Sequence, residues 1–225
     1  MALTLHHLER SRSHRIIWLF EELGLDYEMK RYARHRKTMR ADPALRDIHP
    51  LGKAPVVTDD ALVLAETGAI IEYVLERYGE GRLQPPAGDS GDQARVDYRF
   101  FMHYAEGSLM PPLLVRLIFD TIEKAKVPFF VKPLIGQVVR RVDENFIDGE
   151  MSLHADFLEK TLEKQKWFAG EAFTAADIQM SFPVEGLLRR GAQGRSKTHH
   201  LRAFVDRIRD RPAYRQALEK GGDVF

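Results

Sequence analysis

HPLGKAPVV, residues 49–57, sets Pro55 directly before two β-branched valines, at the point where a strand would begin. Proline has no N–H to give to a ladder, so within a sheet it is confined to edges, bulges and first residues. An X-Pro bond also reaches the cis form at a cost of roughly 0.5–1 kcal/mol. Two readings follow. One is an ordinary strand start; the other is a cis-proline turn whose free backbone faces a ligand.

The flanking sequence alternates strand-like and helix-like runs. LTLHHL (3–8) and DYEMKRY (26–32) read as strands, with RIIWLFEELGL (15–25) as a helix between them. After an irregular basic stretch come APVVTDDALVL (54–64) and ETGAIIEYVLERYG (66–79), where Ile70, Ile71, Val74 and Leu75 recur at helical spacing and Gly79 is placed as a stop. Asp59-Asp60 between two apolar runs signals a hairpin. The order is β-α-β-(α)-β-β-α.

GEGRLQPPAGDSGD (79–92) concentrates glycine and proline without periodicity and reads as a linker. Everything beyond it is helical in pattern. One apolar-periodic stretch runs from Gln93 to Lys126 with Pro111-Pro112 inside it, a pair that breaks or kinks a helix. VPFFVKPLIGQVVRRVDENF (127–146) predicts one helix or two, followed by SLHADFLEKTLEKQ (152–165), HHLRAFVDRIRD (199–210) and RPAYRQALEK (211–220), where Pro212 suits a first turn. WFAGEAFTAADIQMSF (167–182) carries a helix-start device: Thr174 as N-cap, Asp177 reaching back to it, and Phe173 packing on Ile178. The expected architecture is an α/β domain over 1–80, a linker over 81–92 and an all-α domain over 93–225.

Composition narrows the chemistry. The chain has 225 residues, enough to bury a substantial core, and its charges nearly cancel to a formal +1. No overall field favours nucleic acid or a membrane surface. No run approaches the roughly 20 apolar residues of a membrane span, and the N-terminus has no signal-length apolar core, so a cytoplasmic location is expected. With no cysteine, disulfides, thiolate metal sites and a cysteine nucleophile are excluded, and any thiol chemistry must use a borrowed thiol. His6, His7 and His14 lack an acidic partner at fixed spacing, so no metal is expected.

SRSHRIIWLFEELGLDYE (11–28), HPLGKAPVV (49–57), ETGAIIEYVLERY (66–78) and FAGEAFTAADI (168–178), in that order, resemble the cytosolic glutathione S-transferase family over nearly the whole chain, and within it the bacterial, theta-like, serine-type members. The resemblance implies a thioredoxin-like N-terminal domain, a helical bundle behind it and a cis bond at Pro55. It implies that Ala54 pairs its backbone with the cysteinyl part of glutathione, as an added strand would, and that Lys53 lies near the glycyl carboxylate. Glu66-Thr67 would hold the γ-glutamyl carboxylate at a helix N-terminus. The family's usual pair is Glu-Ser; Thr67 keeps the hydroxyl. Read without the resemblance, Lys53 is a solvated charge and Glu66 a favourable first-turn acid.

Ser11, four residues before Arg15, stands where serine-type members place the hydroxyl that hydrogen-bonds the glutathione sulfur, and Ser13 competes for the role. Either also serves as a plain N-cap. A free thiol titrates near roughly pH 8.5 and only its thiolate attacks, so a hydroxyl donor raises reactivity at neutral pH. Arg15 supports this loop or faces solvent. HYAEGSLMPPLL (103–114) offers Tyr104, Glu106 and Met110 either as an electrophile pocket or as core. In KRYARHRKTMR (30–40), His35, Arg36 and Lys37 are candidates for a further carboxylate contact; the stretch has no nucleic-acid recognition motif.

The function implied is a glutathione transferase that joins glutathione, as co-substrate, to hydrophobic electrophiles, with hydroperoxide reduction by the same thiolate. The alternative is a noncatalytic glutathione-binding stress or interaction protein on the same fold. A homodimer is implied, with apolar residues of the third helix and of the helix after the linker available for an isologous patch.

Overall fold

The computed structural model describes residues 3–35, 38–86, 92–190 and 198–225. Its centre is β1 (Leu3–Leu8), buried along its whole length because it is flanked by a strand on each side and covered on both faces. β1 pairs in parallel with β2 (Glu28–Tyr32) and antiparallel with β3 (Val56–Asp59), which turns through Asp60 into β4 (Leu62–Ala65). The sheet order is β2-β1-β3-β4. Asp60 supplies the positive φ (50°) that this hairpin needs without a glycine.

α1 (His14–Leu23) makes the crossover between β1 and β2, as a parallel pair requires. Its Ile16, Ile17, Trp18, Leu19 and Phe20 are all fully buried. One helix is buried on every side because it is sandwiched: the sheet lies on one face, and the C-terminal helices lie on the other. α2 (Leu45–Ile48) is a single turn, and α3 (Thr67–Tyr78) returns across the sheet with Ile70, Ile71, Val74 and Leu75 in the core. The α3 apolar residues therefore serve the chain's own interior, not an intersubunit patch.

The helical part comprises α4 (Gln93–Tyr104), α5 (Met110–Glu123), α6 (Lys132–Val142), α7 (Asp148–Lys164), α8 (Ala175–Arg190), α9 (His199–Arg209) and α10 (Pro212–Gly221). The expected break at Pro111-Pro112 takes another form. Residues 105–109 form a π-turn, and the prolines sit in the first turn of α5, where a missing N–H costs little. A second π-turn over 143–147 fuses α6 to α7, so the helix expected to start near Ser152 begins upstream of it.

The helix-start device at 174–178 is rearranged relative to the expectation. Asp177 does reach back to the Thr174 amide (2.8 Å), but its second oxygen accepts from the Phe168 amide (2.8 Å), and the Thr174 hydroxyl donates to the carboxylate (3.3 Å). Phe173 packs its ring on Trp18 and Trp167, which carries the contact across to α1. α10 closes the structure against α1: Tyr214 meets Trp18 edge-on at 4.9 Å, and Arg211 forms a forked pair with Glu22 (2.5 and 2.8 Å). Among the described residues no helix is long and apolar enough to cross a membrane.

Candidate functional site

A cleft of ≈ 1320 Å³ opens between the sheet, at the C-terminal end of β1 and the N-terminal end of β3, and the helices α5 and α8. One wall is the 8–12 loop and the Gly52-Lys53-Ala54 segment; the other carries Met110, Leu113 and Leu117 from α5, with Phe182 and Phe225. Several guanidinium groups reach it, among them Arg10, Arg12, Arg46 and Arg190, against a single lining carboxylate among the described residues, Asp42. A mainly apolar cleft edged by cationic side chains suits a ligand with an anionic part and a greasy part.

The Ala54-Pro55 bond is cis. Pro55 is buried, and the sheet ladder begins only at Val56, which leaves the Ala54 backbone outside the sheet and on the cleft wall. Lys53 is exposed on the same wall. Val56 pairs with Ala65, so the chain positions just before β3 and just after β4 run side by side, and this places Glu66-Thr67 next to Ala54-Pro55. Both stand at the N-terminus of α3, off the lining of the cleft itself, with Glu66 exposed and held at φ 72°. Thr67 is buried and accepts a hydrogen bond from Arg15 Nη2 (3.2 Å).

The two serines separate. Ser11 lines the cleft, and its Oγ donates to the Leu8 carbonyl (2.7 Å) and lies 2.7 Å from Ser13 Oγ. Ser13 is fully buried with its hydroxyl turned inward to His7 Nδ1 (2.8 Å) and makes no side-chain cap on α1. Of the pair, only Ser11 lines the cleft. His35 also lines it, tied to Thr38 through Nδ1. Arg36 and Lys37 lie outside the described residues.

The Tyr104 side of the expected pocket is corrected. Tyr104 is absent from the cleft wall: its ring packs among Phe100, Phe101 and Phe157, and its hydroxyl meets His154 Nδ1 at 2.5 Å. Burial in that aromatic cluster pushes the phenol above its ordinary value. The π-turn explains the separation, because it shifts the helical register between Tyr104 and Met110, and Met110 alone of the two reaches the cleft.

Arg15 is the residue the sequence undersold. Its side chain is 1% exposed and contacts the Gln179 carbonyl (2.7 Å), Gln179 Oε1 (3.0 Å), Thr67 and Glu106 Oε1 (2.5 Å). One guanidinium thus fastens α1, the start of α3, the π-turn and α8 around the floor of the cleft. An arginine in a sequence reads as surface, and only the presence of four acceptors from distant segments reverses that. Among the described residues no three His, Asp or Glu side chains group as metal ligands.

Residues 1–76 match the family description "Glutathione S-transferase, N-terminal domain", and residues 120–212 match "Glutathione S-transferase, C-terminal domain". Glutathione S-transferase 3 of Schizosaccharomyces pombe is 35% identical, over 98% of this chain and 88% of that protein. Glutathione S-transferase 1 of Saccharomyces cerevisiae is 30% identical over 96% of this chain and 93% of its own length. A glutathione S-transferase structure from Actinobacillus pleuropneumoniae superposes with a TM-score of 0.77 at 34% identity, covering 97% of this chain and 92% of that one. The thioredoxin-like sheet, the helical domain packed on it and these full-length similarities establish that the chain belongs to the glutathione S-transferase family.

Proposed function

We infer that the protein binds glutathione along the Ala54 edge of the cleft and presents its sulfur to Ser11 for transfer to hydrophobic electrophiles. The observation that carries this reading is the position of Ser11: it lines the same cleft as Ala54 on one wall and Met110, Leu113 and Phe182 on the other. The Ala54 amide and carbonyl pair with the cysteinyl residue, Lys53 attracts the glycyl carboxylate, and Glu66 and Thr67 with the first amides of α3 take the γ-glutamyl end. The family structure from Xanthomonas axonopodis pv. citri, of the theta class and solved with glutathione bound, has the same fold at a TM-score of 0.70 and 23% identity.

The Ser11 hydroxyl donates to the sulfur and favours its anion, and the N-terminus of α1 adds a favourable dipole. The thiolate attacks an electrophilic carbon seated against the apolar wall, or the O–O bond of an organic hydroperoxide. Exposed Val96 and Phe100 on α4 and Leu62 and Val63 on β4 support a homodimer, which light scattering at graded concentration tests. For the main reading the test is calorimetric titration with glutathione of the wild type and Glu66→Ala, followed by turnover of chlorodinitrobenzene and cumene hydroperoxide with Ser11→Ala. Weakened binding in the first variant and lost turnover in the second support it. Binding without any turnover in the wild type would favour the noncatalytic alternative.

A further inference from the structure

Behind Ser11 runs a line of polar atoms that the reaction as described does not use. Ser11 Oγ lies 2.7 Å from Ser13 Oγ, Ser13 Oγ lies 2.8 Å from His7 Nδ1, and His7 Nε2 lies 3.0 Å from the Gly221 carbonyl. His7 and Ser13 are buried, so each of these bonds is made away from competing water. The far end fixes the polarity of the whole line. A carbonyl can only accept, so His7 Nε2 carries the hydrogen, and a neutral imidazole then has a bare lone pair on Nδ1. Ser13 must donate to that lone pair, which leaves its oxygen to accept from the Leu8 amide (3.2 Å) and from Ser11 whenever the Ser11 hydroxyl turns from the Leu8 carbonyl (2.7 Å) to its neighbour at the same distance.

Gly221 is placed for this contact. A Cβ there would lie 2.5 Å from Ile17 Cδ1 and 3.6 Å from His7 Cε1, so any larger residue would have to displace the Ile17 side chain, and glycine lets the end of α10 approach β1 without that shift. A second, smaller cavity of ≈ 390 Å³ is lined by His7, Glu9, Arg31, Gly221 and Asp223, with neither Ser11 nor Ser13 on its wall.

Resting on the reading of Ser11 as the sulfur contact, we propose that His7 and Ser13 form a proton relay that carries the glutathione thiol proton away from Ser11 to the imidazole. The step balances along one line of bonds. The S–H proton passes to Ser11 Oγ, the original Ser11 proton passes to Ser13 Oγ, and the original Ser13 proton passes to His7 Nδ1. At the end Ser11 donates to the thiolate, Ser13 donates to Ser11, and the imidazolium donates to Ser13 and to Gly221. The bonds joining Ser11, Ser13 and His7 are kept with their direction reversed, the Nε2 hydrogen stays on the Gly221 carbonyl, and once the thiolate has been consumed the proton returns along the same line through Ser11 to the cleft. His7 and Ser13 act through Ser11 and are positioning residues.

The surroundings keep His7 neutral before substrate arrives. Burial, ahead of any neighbouring charge, holds its imidazole below the ordinary histidine value, with Arg31 acting in the same direction and the Gly221 carbonyl and Glu9 opposing. The groups facing it are Glu9 and Arg10 from the end of β1, Arg31 and Tyr32 from β2, His14 from α1 and Asp223 from the tail. A thiolate formed three hydrogen bonds away supplies the anion that the imidazolium then needs.

The test is an ultraviolet titration of the bound thiolate in the wild type, Ser13→Ala, His7→Phe and His7→Asn, the last keeping an acceptor that cannot take a proton. All three variants are expected to raise the bound-thiol pKa by about one unit toward that of free thiol, so the thiolate present at neutral pH and kcat/KM both fall about tenfold. Affinity for S-methylglutathione, which has no thiol proton, is expected to stay unchanged. If the wild type binds no glutathione, the reading of the cleft falls and the relay falls with it. If it binds and ionises glutathione but the variants keep the wild-type thiol pKa, the relay alone is wrong. Should the variants fail to fold, imidazole nitrogen shifts of the wild type decide: His7 turning to imidazolium as the bound thiol ionises supports the relay, and His7 staying neutral overturns it.

Discussion

Arg15 Nη2 lies 2.5 Å from Glu106 Oε1, which ties the first turn of α1 to the π-turn between α4 and α5. The arginine is buried and the glutamate one-third exposed, so the two ends of the pair differ in what their loss exposes. Removing Arg15 takes a donor from Gln179 and Thr67 at once and leaves Glu106 with Arg12 alone (3.3 Å). Arg15→Leu is expected to cost about 3–5 kcal/mol, the range for breaking a buried pair from one side. Urea denaturation reads this directly, and a loss under about 1 kcal/mol, the scale of a surface pair, would show that the network is not structural.

His14 is expected to make the fold acid-sensitive. Burial first, and then the neighbouring His7, hold its pKa at about 4, and its Nε2 has no hydrogen-bond partner among the described residues. The unfolded chain, titrating near about 6.5, binds the proton more readily than the folded one. Stability from this group is therefore present above that value and is lost as the pH falls toward about 4. The full effect is about 3 kcal/mol at roughly 1.4 kcal/mol per unit. His14→Phe, meeting Tyr214 edge-to-face as the imidazole does, should flatten the acid limb of a stability-against-pH curve.

Asp177 carries the opposite sign. Burial is the largest influence and raises its pKa to about 7, against the backbone bonds from Phe168 and Thr174, which pull it down. The folded state now holds the proton more tightly, so the contribution of this group is greatest below the unfolded value of about 3.9 and declines as the pH rises toward about 7. Asn in its place keeps one acceptor and turns an NH2 toward the other amide, a loss of about 1–3 kcal/mol. The margin of wild type over Asp177→Asn should narrow as the pH rises through that window; a margin that stays level would mean the carboxylate is ionised throughout.

Glu66 is expected to uncouple stability from binding. A glutamate at φ 72° and ψ 125° is in a region that suits glycine and costs of order 1–3 kcal/mol. Glu66→Gly should stabilise the fold by roughly 1 kcal/mol after glycine's own entropic cost, while glutathione affinity drops. Glu66→Ala should lose affinity without that gain. Equal melting temperatures for the two variants would argue against backbone strain here.

The strand and helix order of the first 78 residues was legible because each element combined a periodic apolar pattern with a local stop, such as Gly79 after α3. Pro55 was legible as a strand start, and the register of β3 with β4 then brought Glu66 beside it. Tyr104 was misplaced because periodicity assumes one uninterrupted helical register, and the π-turn that changes it has no sequence signature apart from the following prolines. The buried role of Arg15, the inward turn of Ser13 and the contact of His7 with Gly221 depend on partners up to 214 positions away, and no spacing rule reaches that far.

The π-turn at 105–109 has an evolutionary reading as well. It holds one residue more than an α-helix would, and one residue corresponds to about 100° of rotation. That extra rotation lets the α4 side chains face the aromatic cluster while α5 turns Met110, Leu113 and Leu117 to the cleft. Gly107 is exposed, and a Cβ added there would meet nothing within 4 Å. Deleting it would restore an unbroken helix and swing that wall away from Ser11. A single codon lost or gained at this point re-aims the apolar face without touching a residue that contacts glutathione, so substrate range in such a chain can change by indel as readily as by substitution.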